Sequence, residues 1–98
     1  MCLTVQQVDA IKRAAAEIYG DVAQVWLFGS RVDDQKRGGD IDLLIRSAEG
    51  ARHGLIDKIR LLGRLELMLG ERKIDVVIET VDDRRPIIQI AHTQGIRL

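Results

Sequence analysis

The sequence has almost no cysteine, no excess charge of either sign and no long apolar run. Cys2 is the one cysteine among the 98 residues, so a disulfide within the chain is impossible, which fits a reducing compartment. Lys and Arg total 15, as do Asp and Glu, and this balance argues against a general nucleic-acid binder. Because no segment resembles a membrane-spanning helix or a signal peptide, we expect a cytoplasmic protein that contacts no membrane.

The composition predicts a folded globular chain. Hydrophobic residues make up 46% of the sequence and charged residues 31%, proportions that disordered segments do not have. A chain of this length suits one domain with one modest hydrophobic core. We therefore expect a single domain over residues 1–98, without internal repeats.

Apolar periodicity and β-branched runs predict an α/β fold. Helices are expected over residues 4–19, 55–69 and 87–94. Strands are expected over residues 22–28, 41–45 and 72–79, and the last four residues form a short strand or remain loose. Thr4 and Gln7 form a capping-box pattern, and Gly20 suits a left-handed C-cap. The elements together predict a small mixed sheet of at least three strands, flanked by helices.

Gly29, Ser30 and Arg31 follow the first predicted strand and suit a phosphate-binding turn. Gly29 has no Cβ, so it permits a sharp turn and the close approach of a ligand. Ser30 offers a hydroxyl and a backbone N–H, and a helix that begins after it would direct unpaired N–H groups at an anion. Arg31 directly follows the turn and is the best cation in this loop for a phosphate.

Three carboxylates mark the second and third predicted strands. Asp40 and Asp42 point to one face, because side chains alternate along a strand. Adjacent carboxylates resist ionising together unless a cation offsets their repulsion, and hard oxygen ligands suit Mg²⁺. Asp75 lies in an otherwise apolar strand, where an uncompensated carboxylate is costly. If the two strands are neighbours, Asp75 joins the other two.

Two further polar side chains are expected to be unremarkable in function. Glu79 ends the third predicted strand on the Asp75 face and is interpreted as a solvated strand end. His92 lies in the last predicted helix and is interpreted as a surface or packed histidine.

These motifs resemble those of the nucleotidyltransferases in the DNA polymerase β superfamily. The matching segments are Leu27-Phe28-Gly29-Ser30-Arg31, Gly39-Asp40-Ile41-Asp42-Leu43-Leu44 and Lys73-Ile74-Asp75-Val76-Val77-Ile78. More closely, the chain is similar to the minimal nucleotidyltransferases (MNT proteins), which are often antitoxin partners of HEPN-domain toxins. The resemblance covers nearly the whole chain and implies the polymerase-β-like fold.

The resemblance also implies a site and a reaction. It implies that one trio of residues acts in catalysis and binds two Mg²⁺ ions: Asp40, Asp42 and Asp75. It implies that Gly29, Ser30 and Arg31 hold the triphosphate of ATP. The implied reaction transfers AMP to a tyrosine hydroxyl of a cognate HEPN ribonuclease toxin and releases pyrophosphate.

Two alternative functions stay open. The protein could be an antitoxin that neutralises its toxin by binding alone, although the three carboxylates and the Gly-Ser turn argue against a decayed site. It could also be a small-molecule nucleotidyltransferase of the aminoglycoside type. That alternative is disfavoured because we expect no added substrate domain in so short a chain, and direct nucleic-acid binding is not expected for the same reason.

The helix predicted over 55–69 has more apolar residues than one buried stripe requires. We expect one of its faces to pack on the sheet. A second face either contacts a partner chain, in a homodimer or a hetero-oligomer, or belongs to a helix that lies deeper in the core.

Overall fold

The computed structural model describes residues 3–29, 41–47, 54–70 and 73–98. In chain order its elements are α1 (Val5–Tyr19), β1 (Gln24–Phe28), β2 (Ile41–Arg46), α2 (Leu55–Leu69), β3 (Ile74–Glu79), α3 (Pro86–Gln94) and β4 (Ile96–Arg97). The predicted α/β fold is confirmed, and every predicted helix and strand lies close to its expected bounds.

The strands form one mixed sheet in the order β3-β2-β1-β4. β1 pairs antiparallel with β2 and with β4, whereas β2 and β3 are parallel. Parallel neighbours need a crossover connection, because the chain must return to the same end of the sheet before it starts the second strand. α2 lies in that connection, between β2 and β3.

The two faces of the sheet bury different helices. On one face the alternate residues Ile41, Leu43 and Ile45 of β2 belong to the main core, which they share with α1 and α2. On the other face Leu44 belongs to a smaller cluster with α3. Strand alternation therefore gives a three-layer arrangement, with two helices on one side of the sheet and one on the other.

The predicted capping box at the start of α1 is confirmed. The Gln7 N–H donates to Thr4 Oγ1 at 3.1 Å, and the Thr4 N–H donates to Gln7 Oε1 at 2.9 Å. The expected left-handed C-cap at Gly20 is wrong, because its φ of 99° is combined with a ψ of 161°. The Gly20 N–H still donates to the Ala16 carbonyl. The Ala23 N–H donates to the Gly20 carbonyl, and this turn leads into β1.

One face of α2 is exposed, so the alternative of a helix sunk deeper in the core is wrong. Leu61, Leu65 and Leu69 are buried, but Leu55 is 71% exposed and Leu67 is 89% exposed. In the described ranges no helix combines the length and the apolar character that crossing a membrane requires.

Loss of the N-terminal cap should weaken α1 measurably. Thr4→Ala removes the acceptor of the Gln7 N–H and should lower the free energy of unfolding by about 1 kcal/mol. Urea denaturation measures this change. Gln6→Ala in the same first turn is the control, because Gln6 is exposed and is not part of the cap. Equal stability of the two variants would contradict the role of Thr4.

Candidate functional site

The parallel register places two of the predicted carboxylates side by side. Asp42 of β2 and Asp75 of β3 are register partners, so their backbones lie about 5 Å apart. Both carboxylates lie on the face that carries Leu44 and Val77, the side of the sheet that packs against α3. Asp42 is half-buried and Asp75 is exposed. The pair therefore sits where solvent and a ligand can reach it.

Gly29 lies against Asp42 at the end of β1. Phe28, the last residue of β1, is the register partner of Asp42, and Gly29 follows it with a φ of +76°. A Cβ built on Gly29 would collide with the carboxylate of Asp42. Only glycine has both the freedom to adopt this φ and the space to leave the carboxylate in place. The turn and the carboxylate are thus fitted to each other.

Three of the predicted site residues, Ser30, Arg31 and Asp40, lie outside the described residues. Within the described ranges, no group of three or more His, Cys, Asp or Glu side chains is placed to hold a metal ion. What the structure does bring together is the pair Asp42 and Asp75, next to the Gly29 turn. Two carboxylates at a partly open edge are hard oxygen donors of the kind that Mg²⁺ prefers, so the residues present fit this ion.

An apolar cluster covers the sheet beside the carboxylates. Phe28 and Leu44, the latter fully buried, pack with Ile88 and Ala91 of α3. Phe28 stands opposite Asp42 in the register of β1 and β2. The candidate site therefore has a carboxylate edge next to an apolar wall, and such a wall keeps water away from one side of a bound ligand.

A polar network at the other end of the same strands fixes α3. Arg46 and Glu79 are register partners, and Glu79 lies about 13 Å along β3 from Asp75. Glu79 Oε1 is 2.5 Å from His92 Nε2, and Glu79 Oε2 is 3.6 Å from Arg46 Nε. The interpretation of Glu79 as a solvated strand end is wrong, because its side chain is only 14% exposed.

Of the two expected environments for His92, a surface position or a packed one, the structure shows the packed one. Its ring meets the Trp26 ring edge-on, with 4.4 Å between the centroids, while its Nε2 contacts Glu79. Alternation along β3 already predicted that Glu79 shares a face with Asp75. The partners of Glu79 were not predicted, because Arg46 comes from another strand and His92 from a helix. Only strand register and helix packing bring these residues together.

The turn that leads into α3 is held by Asp83. Arg85 Nη2 donates to Asp83 Oδ2 at 2.7 Å and to the Ile78 carbonyl at 2.8 Å. The Thr80 N–H also donates to Asp83 Oδ2, at 3.2 Å. The hydrogen bonds from Arg85 hold the pKa of Asp83 well below its ordinary value. The stabilisation from this pair is therefore present at neutral pH and is lost only as the pH falls through that lowered pKa.

Gly29→Ala should damage the site beyond the cost of a strained turn. The positive φ alone should cost about 1 kcal/mol of folding stability, and the new Cβ would also displace the Asp42 carboxylate. Gly70→Ala is the matched control, because Gly70 has a φ of +83° and no atom of the described residues lies within 4 Å of an added Cβ. We expect similar losses of stability in both variants. Calorimetry should show a loss of Mg²⁺-dependent nucleoside triphosphate binding in Gly29→Ala only, and equal binding by the two would contradict this interpretation.

Comparison with known proteins identifies the family. No curated protein matches the chain, whereas the family model described as "Polymerase beta, Nucleotidyltransferase" matches residues 10–98. That range includes the Gly29 turn and both described carboxylates, and the four-stranded mixed sheet flanked by three helices is consistent with the fold of this family. The chain therefore belongs to the polymerase beta family of nucleotidyltransferases, enzymes that generally use nucleoside triphosphates and depend on Mg²⁺.

Proposed function

We propose that this nucleotidyltransferase is an antitoxin that transfers AMP from ATP to a tyrosine hydroxyl of a cognate HEPN ribonuclease toxin. The observation that carries the nucleotidyl transfer is the register pair of Asp42 and Asp75 beside the Gly29 turn. The choice of ATP and of a protein acceptor rests on the resemblance of the three motifs to those of the minimal nucleotidyltransferases.

Each site residue has a distinct task in the proposed reaction. Asp42 and Asp75 provide carboxylate oxygens for the metal from two neighbouring strands, and Asp40 is the third carboxylate by sequence. Bound Mg²⁺ would supply positive charge for the attacking and leaving oxygens of the transfer. Gly29 leaves the Asp42 carboxylate in place, because a side chain at this position would collide with it. The lack of a Cβ is also proposed to let the triphosphate approach the backbone. Ser30 and Arg31 are proposed to hold the phosphates.

The chemistry is a displacement at phosphorus. The tyrosine hydroxyl oxygen attacks the α-phosphorus of ATP, and a new phosphorus–oxygen bond forms. The bond from the α-phosphorus to the bridging oxygen breaks, so the electron pair leaves with pyrophosphate. The hydroxyl proton passes to solvent at the open carboxylate edge. The product is an AMP–tyrosine phosphodiester and free pyrophosphate.

Charge favours a protein acceptor over a nucleic acid. An excess of cations favours binding to a nucleic-acid backbone, because Lys and Arg replace the counterions of the phosphates. The 15 basic and 15 acidic residues of this chain cancel. The described surface next to the candidate site presents the Asp42–Asp75 pair, which would repel a second polyanion.

Removal of one carboxylate should abolish transfer and leave the fold intact. Asp42→Asn and Asp75→Asn keep the side-chain shape but remove an anionic metal ligand. We expect a loss of transfer on the order of 100-fold or more, since even outer-shell partners of metal sites contribute ~10–100-fold. The assay follows label from α-labelled ATP onto a purified HEPN-domain ribonuclease tested as the acceptor, with Mg²⁺ present. Asp9→Asn on the exposed side of α1 is the control and should keep full activity.

The same assay distinguishes the alternatives. Wild-type rates in Asp42→Asn would remove this site from the reaction. Neutralisation of the ribonuclease without label transfer would indicate a binding antitoxin. Label on an added aminoglycoside, and none on the HEPN-domain protein, would indicate a small-molecule nucleotidyltransferase.

A further inference from the structure

α2 carries two apolar rows on opposite sides of the helix. Residues spaced by four form a continuous ridge along a helix surface. The row Leu61, Leu65 and Leu69 is buried in the main core. A second row consists of Leu55, Ile59, Gly63 and Leu67, and all four of its members are exposed. We call this second set the outer row.

The outer row is the main exposed apolar feature of the described part of the chain. Half of the exposed large hydrophobic side chains there lie on α2, and Ile56 borders the row. Leu67, at the C-terminal end of the row, is 89% exposed. Scattered exposed apolar residues are ordinary, but a contiguous apolar stripe is typical of a surface that contacts another protein.

The outer row is symmetric about Gly63 and could therefore pack against a second copy of itself. Gly63 lies in the row with a large apolar residue four positions before it, Ile59, and another four positions after it, Leu67. Apart from the backbone of α2 itself, no described atom that is not a chain neighbour lies within 4 Å of a Cβ built on Gly63, so a second helix can approach closely there. Small residues at a helix crossing permit short distances between the two axes.

We propose that the outer row is the interface of a homodimer, in which α2 packs against α2 of a second copy about a two-fold axis at Gly63. A two-fold axis brings each Ile59 to the level of Leu67 in the other copy, which is the reciprocal contact that an isologous interface requires. Interlocking rows of residues spaced by four give the commonest class of helix packing.

Charge along the row is also self-compatible. Arg60 and Glu66 lie three residues before and after Gly63, so the axis brings opposite charges to the same level of the interface. Arg60 is bonded to Asp57 at 3.1 Å, and Arg64 pairs with Glu17 of α1. Arg60 and Arg64 therefore each have an acidic partner within one copy, so neither is an uncompensated cation at this face.

The size of the row predicts a weak dimer. At roughly 100 Å² for each large side chain, burying the three large residues of the row with their neighbours Ile56 and Arg60 in both copies removes on the order of 1,000 Å² of surface. That area is about the minimum for a specific interface. We expect a dissociation constant in the micromolar range. α2 covers the sheet face opposite to Asp42 and Asp75. Dimerisation therefore leaves the candidate sites of both copies open, and the dimer proposal is independent of which acceptor the enzyme uses.

Sedimentation equilibrium of the purified chain across the micromolar range tests the dimer. The wild type should associate, and Leu67→Glu should raise the dissociation constant at least tenfold. Gly63→Leu should also weaken association, because it fills the crossing point, although leucine favours helix more than glycine does. Its unfolding midpoint should therefore not fall, which separates a lost interface from a lost fold.

Val81→Glu is the matched control, because Val81 is 72% exposed and lies outside α2. It should dimerise like the wild type. A wild-type chain that stays monomeric throughout the range would overturn the proposal, even if the row binds another protein. A dimer that Leu67→Glu and Gly63→Leu leave unchanged would overturn it too, since the interface would then lie elsewhere.

Discussion

The parallel pairing of β2 with β3 is the constraint on which the candidate site depends. This register sets Asp42 beside Asp75, and two like charges that face each other across strands are unfavourable without a cation. The buried apolar residues of the two strands hold this register in place. A slip of one residue would turn Asp42 towards the main core and Leu43 towards the α3 face. The free energy of core packing therefore keeps the two carboxylates together.

α2 makes this pairing possible and has a second consequence. As the crossover between parallel strands, it must bury one row, Leu61, Leu65 and Leu69, against the sheet. Its opposite side then faces away from the core, and the sequence keeps that side apolar as well. The carboxylates and α3 occupy the other face of the sheet. The outer row and the candidate site thus lie on opposite sides of one layer of strands.

α3 is positioned by polar contacts at both of its ends. Asp83 and Arg85 fix the turn before it, and His92 near its C-terminal end contacts Glu79 and Trp26. Between these contacts, Ile88 and Ala91 pack on Phe28 and Leu44. Phe28 precedes Gly29 and is the register partner of Asp42. The position of α3 therefore also determines how the apolar cluster lies beside the candidate site.

The sequence by itself determined the local features of this protein. Thr4 and Gln7 predict the helix start, alternation predicts that Asp75 and Glu79 share a face, and Gly29 predicts a turn, because each depends on neighbours a few residues away. Only the tertiary structure decided the rest. The Gly29–Asp42 fit, the burial of Glu79 between Arg46 and His92, and the exposure of the outer row all depend on strand register and helix packing. Those contacts join residues far apart in the chain, and no local pattern specifies which distant partner fills the space.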